Sequence, residues 1–375
     1  NGNVLMVAWE KKTKQEVLAA GRAPSLLSSE ELWPDTVVEV RPTGRKTGRV
    51  VWEWHVWDHL VQDVNPSKDN YGDVTEHPEL VDINHLPAHT KEPKGADWTH
   101  INSVDYNPRL DQIALSVRGF SEVWIIDHST TTREAAGHSG GRYGRGGDIL
   151  YRWGNTQAYR AGDAADQQLF GQHDAWWIPE GYPGEGHILT FNNGQSRPDA
   201  RYSSVVEYAP PLQEDGSYAR AAGSAFGPQE PAWTYSAPDK SDFFSPNISG
   251  ARRLPNGNTL ICSGASGRFF EVTPGGEIVW EYVNPIERQG GPPGAGMGGG
   301  RGGGQRGSAG PGGGGGRGGG GPRGPGGPGA AGPGPGAGGG GGNPVFRVSR
   351  YAADYPGLSG HELEGRASGR SGRPC

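Results

Sequence analysis

The sequence is poor in helical signal. Apolar residues almost never recur at helical spacing, and short runs rich in β-branched and aromatic residues take their place, which reads as an all-β protein. Cysteine is scarce. Cys262 lies in the strand-like NTLICSG and reads as a small buried hydrophobe, while Cys375 is the last residue, so the pair fixes neither a disulfide nor a compartment. Neither a secretion signal nor an apolar run long enough to cross a membrane is present, and no membrane association is expected. The GxSxG, HExxH, Cys-x-x-Cys and GxxxxGK[ST] patterns are all missing, which removes the commonest serine, zinc, redox and nucleotide sites. A net charge of −6 argues against a general nucleic-acid binder.

What is present is a repeated unit. NGNVLMVAW is followed by VVEVRPTG and RVVWEW; DQIALS by SEVWIID and GDILYRWG; GHILTF by SSVVEY and PAWTY; NGNTLICSG by FFEVTPGG and EIVWEY. Three of the four are preceded by one more strand, THINSVDYNP, QHDAWWIPEG or NISGARRLPNG. Four strands per unit, recurring every roughly 50 to 75 residues, is the pattern of β-propeller blades. A β-sandwich of hairpins fits less well, because the order inside the unit is kept.

Chemistry-bearing residues gather at 98–127. In THINSVDY, alternation places His100 and Asn102 on one face of a strand, and Arg118 closes the strand after the NPRLDQ turn. A histidine, an amide and a guanidinium together suit an oxyanion with several oxygens. His173, in QHDA, starts the first strand of the next unit, as His100 starts its own. The two are expected at equivalent positions, converging where the first strands of the blades meet. Asp174 points to the opposite face by alternation. A metal held by His100 and His173 lacks a third ligand, so no metal and no cofactor are expected. His55 and His59 flank Trp57 and read as packing or surface residues. His128, His138 and His187 fall in turns without a nameable partner.

The HxN pair, the later LSxRxxSEVWIID and then QHDA, in that order, resemble the bacterial arylsulfate sulfotransferase family across residues 1–282, and again more weakly across 345–355. The resemblance implies a six-bladed propeller, of which about four blades are visible here. It also implies transfer of a sulfuryl group from a phenolic sulfate ester to a phenol through a sulfohistidine, without a nucleotide sulfate donor. By motif, His173 would be the nucleophile, with His100, Asn102 and Arg118 holding the sulfuryl oxygens. Donor and acceptor would be small phenolic molecules, the location periplasmic or secreted, and a homo-oligomer is compatible with it. A non-catalytic propeller that binds a ligand or partner is the alternative, and a sulfate-ester hydrolase differs only in the acceptor.

The chain divides into a partial propeller over 1–288, a Gly/Pro-rich tether over 289–344 and a closing strand with a disordered tail over 345–375. The insert at 55–96 is too long for a simple connection. Trp57, Leu60, Val61, Leu80 and Ile83 should pack part of it over one end of the propeller. Asp63, Asn65, Ser67 and Asp69 alternate as in a calcium loop, but Lys68 and Val74 occupy the positions of its glycine and closing acid, so a solvated loop is favoured. The family's further site histidine has no counterpart in the chain. It is expected about five to ten residues upstream of Asn1, on the strand the first unit lacks, with another blade and a secretion signal beyond, a count extrapolated from the six-residue step from His173 to Pro179. The chain by itself would then be unstable or inactive.

Overall fold

Sheet formation follows the repeated unit. The computed structural model describes residues 1–87, 96–285, 344–351 and 354–360, and nearly all its regular structure is β. The first sheet pairs β1 (Val4–Trp9), β2 (Asp35–Gly44) and β3 (Thr47–His55). The second runs in order through β4 (Ile101–Asn107), β5 (Gln112–Val117), β6 (Glu122–Asp127) and β7 (Tyr151–Trp153). A third contains β8 (His173–Trp177), β9 (Ile188–Asn192), β10 (Ser204–Tyr208) and β11 (Trp233–Tyr235). The fourth contains β12 (Gly250–Arg253), β13 (Thr259–Ser263), β14 (Arg268–Val272) and β15 (Ile278–Val283). All four are antiparallel meanders, and their first strands neighbour one another, β4 against β8 and β8 against β12.

The strands are apolar on both faces because each inner sheet is covered twice. Ile113, Leu115 and Val117 of β5 and Trp124 and Ile126 of β6 pack towards the first sheet with Val37 and Trp54. Ala114, Val123 and Ile125, one residue out of phase, pack towards the third with Trp177 and Val206. Leu189, Phe191, Val205, Phe243, Ile261 and Phe270 fill the next interface. Period-two alternation thus feeds two cores from one strand. The outer faces differ: Val4, Met6 and Trp9 of β1 and Ile278, Trp280 and Tyr282 of β15 are exposed.

Part of the insert packs, with Leu60, Val61 and Ile83 buried as expected. Leu60–Val61 pairs in parallel with Val81–Asp82, and Val61, Val74, Val81 and Ile83 are buried. Arg152 explains the anchoring. Its guanidinium is fully buried against Glu122 and donates to the carbonyls of Leu80 (3.0 Å) and Pro78 (3.3 Å). Two side chains of the calcium-like run are engaged within the protein: Asp63 pairs with Arg160, and Asn65 Oδ1 accepts from the Ser67 amide and hydroxyl.

Among the described residues, the strand expected after residue 345 does not form. Residues 344–351 instead lie along the end of β13, where the Val345 amide donates to the Gly264 carbonyl (3.0 Å) and Cys262 Sγ approaches the Val345 carbonyl (3.5 Å). Two ion pairs, Arg347 with Asp174 and Arg350 with Glu271, draw the segment inward rather than into a ladder. Cys262 is the buried hydrophobe expected, its thiol pushed up to about 12 by burial. Nearly all of the Gly/Pro-rich tether and Cys375 lie outside the described residues.

Candidate functional site

The site sits where the first strands begin. The backbone of His100 takes φ = 49°, a left-handed turn just ahead of β4. Two glycine-like constraints hold that turn. Gly119 must remain bare, because a Cβ there would lie 2.0 Å from the Trp98 carbonyl oxygen and 2.7 Å from that of Thr99. Asp35 is the second anchor: its buried carboxylate accepts from the Thr99 hydroxyl (2.5 Å) and the Ile101 amide (2.8 Å), on either side of His100. Burial pushes the Asp35 carboxyl up to about 7. His100 Nδ1 faces Asp97 Oδ2 at 2.5 Å, which turns Nε2 away from that carboxylate.

The register corrects the expected equivalence of the two histidines. Val117, Asn192 and Ser263 form the last rungs between second and third strands. Ile101 lies opposite Val117, whereas His173 lies opposite Phe191, one rung earlier. His173 therefore takes the rung of Ser103, which lies opposite Ser116, with Asn102 the unpaired bulge residue before it, and His100 corresponds to Gly171 and Ile248. These three residues share positive φ, 49°, 68° and 47°. Alternation failed to show this because each of β4 and β8 carries a bulge directly after its entry.

His173 is 3% exposed and opens β8. Its Nδ1 lies 2.8 Å from Asn193 Oδ1. Asn193 cannot turn its amide the other way, because its Nδ2 donates to the carbonyls of Ser245 (2.8 Å) and Ile248 (3.0 Å). The oxygen so presented can only accept, so Nδ1 of His173 carries the hydrogen and Nε2 the lone pair. Burial holds the imidazole down at about 3, and the charges of Arg118 and His100 lower it further, against the pull of Asn193 and the Gly171 carbonyl. Asn193 was not legible as a site residue. The signal was there: Arg118 and Asn193 each directly follow the second strand of their sheet.

Arg118 is half-buried, with Nη2 donating to Gln195 Oε1 (3.1 Å) and its guanidinium in the field of His173. Asn102 has a different task from the one expected. Its Nδ2 donates to the Gln172 carbonyl (2.8 Å), tying β4 to the residue before His173, and its buried Oδ1 has no hydrogen-bond partner among the described residues. An acceptor oxygen is unsuited to holding another oxyanion. Asp174 also has its own role, paired with Arg252 (2.6 and 2.9 Å) and Arg347 (2.8 Å). Above His173, the Phe346 ring stands edge-on at 5.9 Å. The turn histidines have partners after all: His128 with Asp111, His187 with Glu207, and His138 with Asp148.

These features define an all-β protein of blade-like sheets whose first strands present a neutral histidine within the field of a guanidinium. The chain belongs to the family described as Arylsulfotransferase (ASST), whose sequence model matches residues 1–286. None of the curated proteins matches it. Among solved structures, it is similar to a protein of unknown function from Bacteroides caccae at 13% identity and a TM-score of 0.31, covering 66% of this chain and 54% of that one.

Proposed function

We propose that the protein moves a sulfuryl group from a phenolic sulfate ester to a phenol without a nucleotide donor, with His173 as nucleophile. The tautomer lock carries the reading. Nε2 of His173 keeps its lone pair far below neutral pH, because the folded imidazole protonates only at about 3. In the first step the lone pair attacks sulfur, an N–S bond forms, and the aryl S–O bond breaks to release phenoxide. In the second, a phenol oxygen attacks sulfur, the N–S bond breaks, and the phenolic proton passes to a base or to solvent. Arg118, permanently charged, and His100, oriented by Asp97, would take the charge on the sulfuryl oxygens. Asn102 then positions β8 rather than touching substrate. A periplasmic or secreted location goes with a donor that needs no nucleotide, and fractionation of cells would test it.

The experiment is incubation with an aryl sulfate alone, followed by mass spectrometry. One acid-labile sulfuryl adduct on His173 is expected, with adduct and transfer both lost in His173→Asn. Transfer retained in that variant would remove the mechanism. One observation favours the second reading, a propeller that binds without turnover: Phe346 stands against His173 and leaves it almost no exposed surface. Aryl sulfate binding without adduct, in both the wild type and Phe346→Ala, would establish that reading instead.

A further inference from the structure

A second cluster lies away from the first strands, where the insert meets the loop between β6 and β7. Three side chains converge there, His59, His138 and Asp148, with one donor atom from each within 4.8 Å of the others. His59 is fully buried and tightly built in. Its ring stacks on Trp54 at 5.7 Å and 10°, and Trp54 Nε1 donates to the Gly147 carbonyl (2.7 Å). Gly147 itself presses on the ring, since a Cβ there would lie 2.6 Å from His59 Nε2.

The hydrogen-bond arithmetic is what singles the cluster out. His59 Nε2 lies 2.9 Å from the Ala135 carbonyl oxygen, presented by the short capped helix Thr132–Ala135. A carbonyl only accepts, so Nε2 carries the hydrogen. Nδ1 then holds a lone pair, and it faces Asp148 Oδ1 at 2.9 Å, an atom that also only accepts when ionised. Two lone pairs at that distance repel unless a positive charge lies with them. A proton would relieve that single contact. However, His138 also aims its Nδ1 at the same oxygen, at 2.7 Å. One cation shared by three donors accounts for all of these contacts.

The geometry points to a binding site for a d-block dication, zinc or a close neighbour, formed by His59 Nδ1, His138 Nδ1 and Asp148 Oδ1. Two imidazoles and a carboxylate are ligands for such ions, whereas calcium and magnesium take oxygens. The bond from Nε2 to the Ala135 carbonyl is the outer contact by which metal-bound histidines are held in one tautomer. Metal–ligand bonds of about 2.0–2.2 Å need a modest opening of the observed N–O separations. His138 is exposed and lines a cleft of 820 Å³ together with Trp57, Leu60, Tyr71 and His77, which gives an ion its path and a water its coordination position. Bound there, the ion would clip the insert to the second sheet.

The test uses the whole chain without a histidine tag, stripped with chelator and titrated with zinc chloride by calorimetry, then with cobalt chloride by visible absorption. One equivalent of zinc, a tetrahedral-type cobalt spectrum and a metal-dependent rise in melting temperature are expected. Affinity should fall at least tenfold in His138→Ala, whose exposed side chain can be removed without harming the core, and in the near-isosteric Asp148→Asn. It should be unchanged in His77→Ala, a histidine of the same cleft. No uptake by the wild type, or equal uptake by His138→Ala, would overturn the site and leave a protonated His59 as the charge facing Asp148.

Discussion

Replacing Asn193 by aspartate separates the tautomer lock from bulk and shape. The side chain keeps its size and still offers His173 Nδ1 an acceptor oxygen at about the present 2.8 Å. It loses both donations to the Ser245 and Ile248 carbonyls and brings a negative charge beside a buried imidazole. An adjacent opposite charge shifts a titrating group by about 1–3 units. The His173 imidazole should therefore rise from about 3 to about 4–6. The Ile248 carbonyl, left without its partner, should cost about 1–3 kcal/mol of stability, whereas the Ser245 carbonyl still accepts from the Ser203 hydroxyl (3.4 Å). Nitrogen-15 NMR of the imidazole reads tautomer and titration directly, and the pH dependence of aryl sulfate turnover reads the consequence. The wild type should hold the Nδ1–H form with turnover not limited by His173 above pH 4, while Asn193→Asp should lose turnover below pH 6. An unchanged titration in the variant, or an Nε2–H tautomer in the wild type, would refute the reasoning.

Arg118→Ala should leave the melting temperature nearly unchanged, since the guanidinium is only half-buried, yet slow transfer by about 10²–10³, or roughly 2.7–4 kcal/mol. Glu122→Gln breaks a fully buried pair with Arg152 and should cost about 3–5 kcal/mol by chemical denaturation, loosening the insert that Arg152 holds. His173 contributes to stability in a defined window. Its folded value of about 3 lies below the ordinary 6.5, so its contribution is complete above pH 6.5 and is lost as pH falls towards 3, by roughly 5 kcal/mol at 1.36 per unit. Denaturation series at several pH values should show a shallower acid decline in His173→Asn.

The repeated unit was legible because each strand is a short apolar run closed by a turn signal, and the sheets follow those runs. Hence the four meanders, the three-stranded first sheet and the buried Cys262 were all readable. The register was not, since the bulges at Asn102 and after His173 are set by contacts between sheets and leave no mark on alternation. Asn193 was hidden for a related reason: NNG reads as a turn, and only Ser245 and Ile248, more than fifty residues away, reveal which way its amide points. His59 and His138 stand 79 residues apart in sequence and meet where the insert, held in part by Arg152, packs against the second sheet. The segment at 344–351 misled because its β-like composition promised a strand, while its arginines found carboxylates instead.

The entry turn shared by His100, Gly171 and Ile248 has an evolutionary reading. Left-handed backbone at a residue other than glycine costs about 1–2 kcal/mol, and a β-branched isoleucine bears it least well. That three such different residues adopt it shows that the bend belongs to the scaffold and the side chain is a passenger. The position therefore behaves as a set of addresses, one in each four-stranded sheet, whose occupants can be exchanged without redrawing the backbone. A lineage could change what the centre of the molecule binds by single substitutions at these addresses. A designer could do the same, starting with a histidine at Ile248, where the strain of the turn has already been accepted.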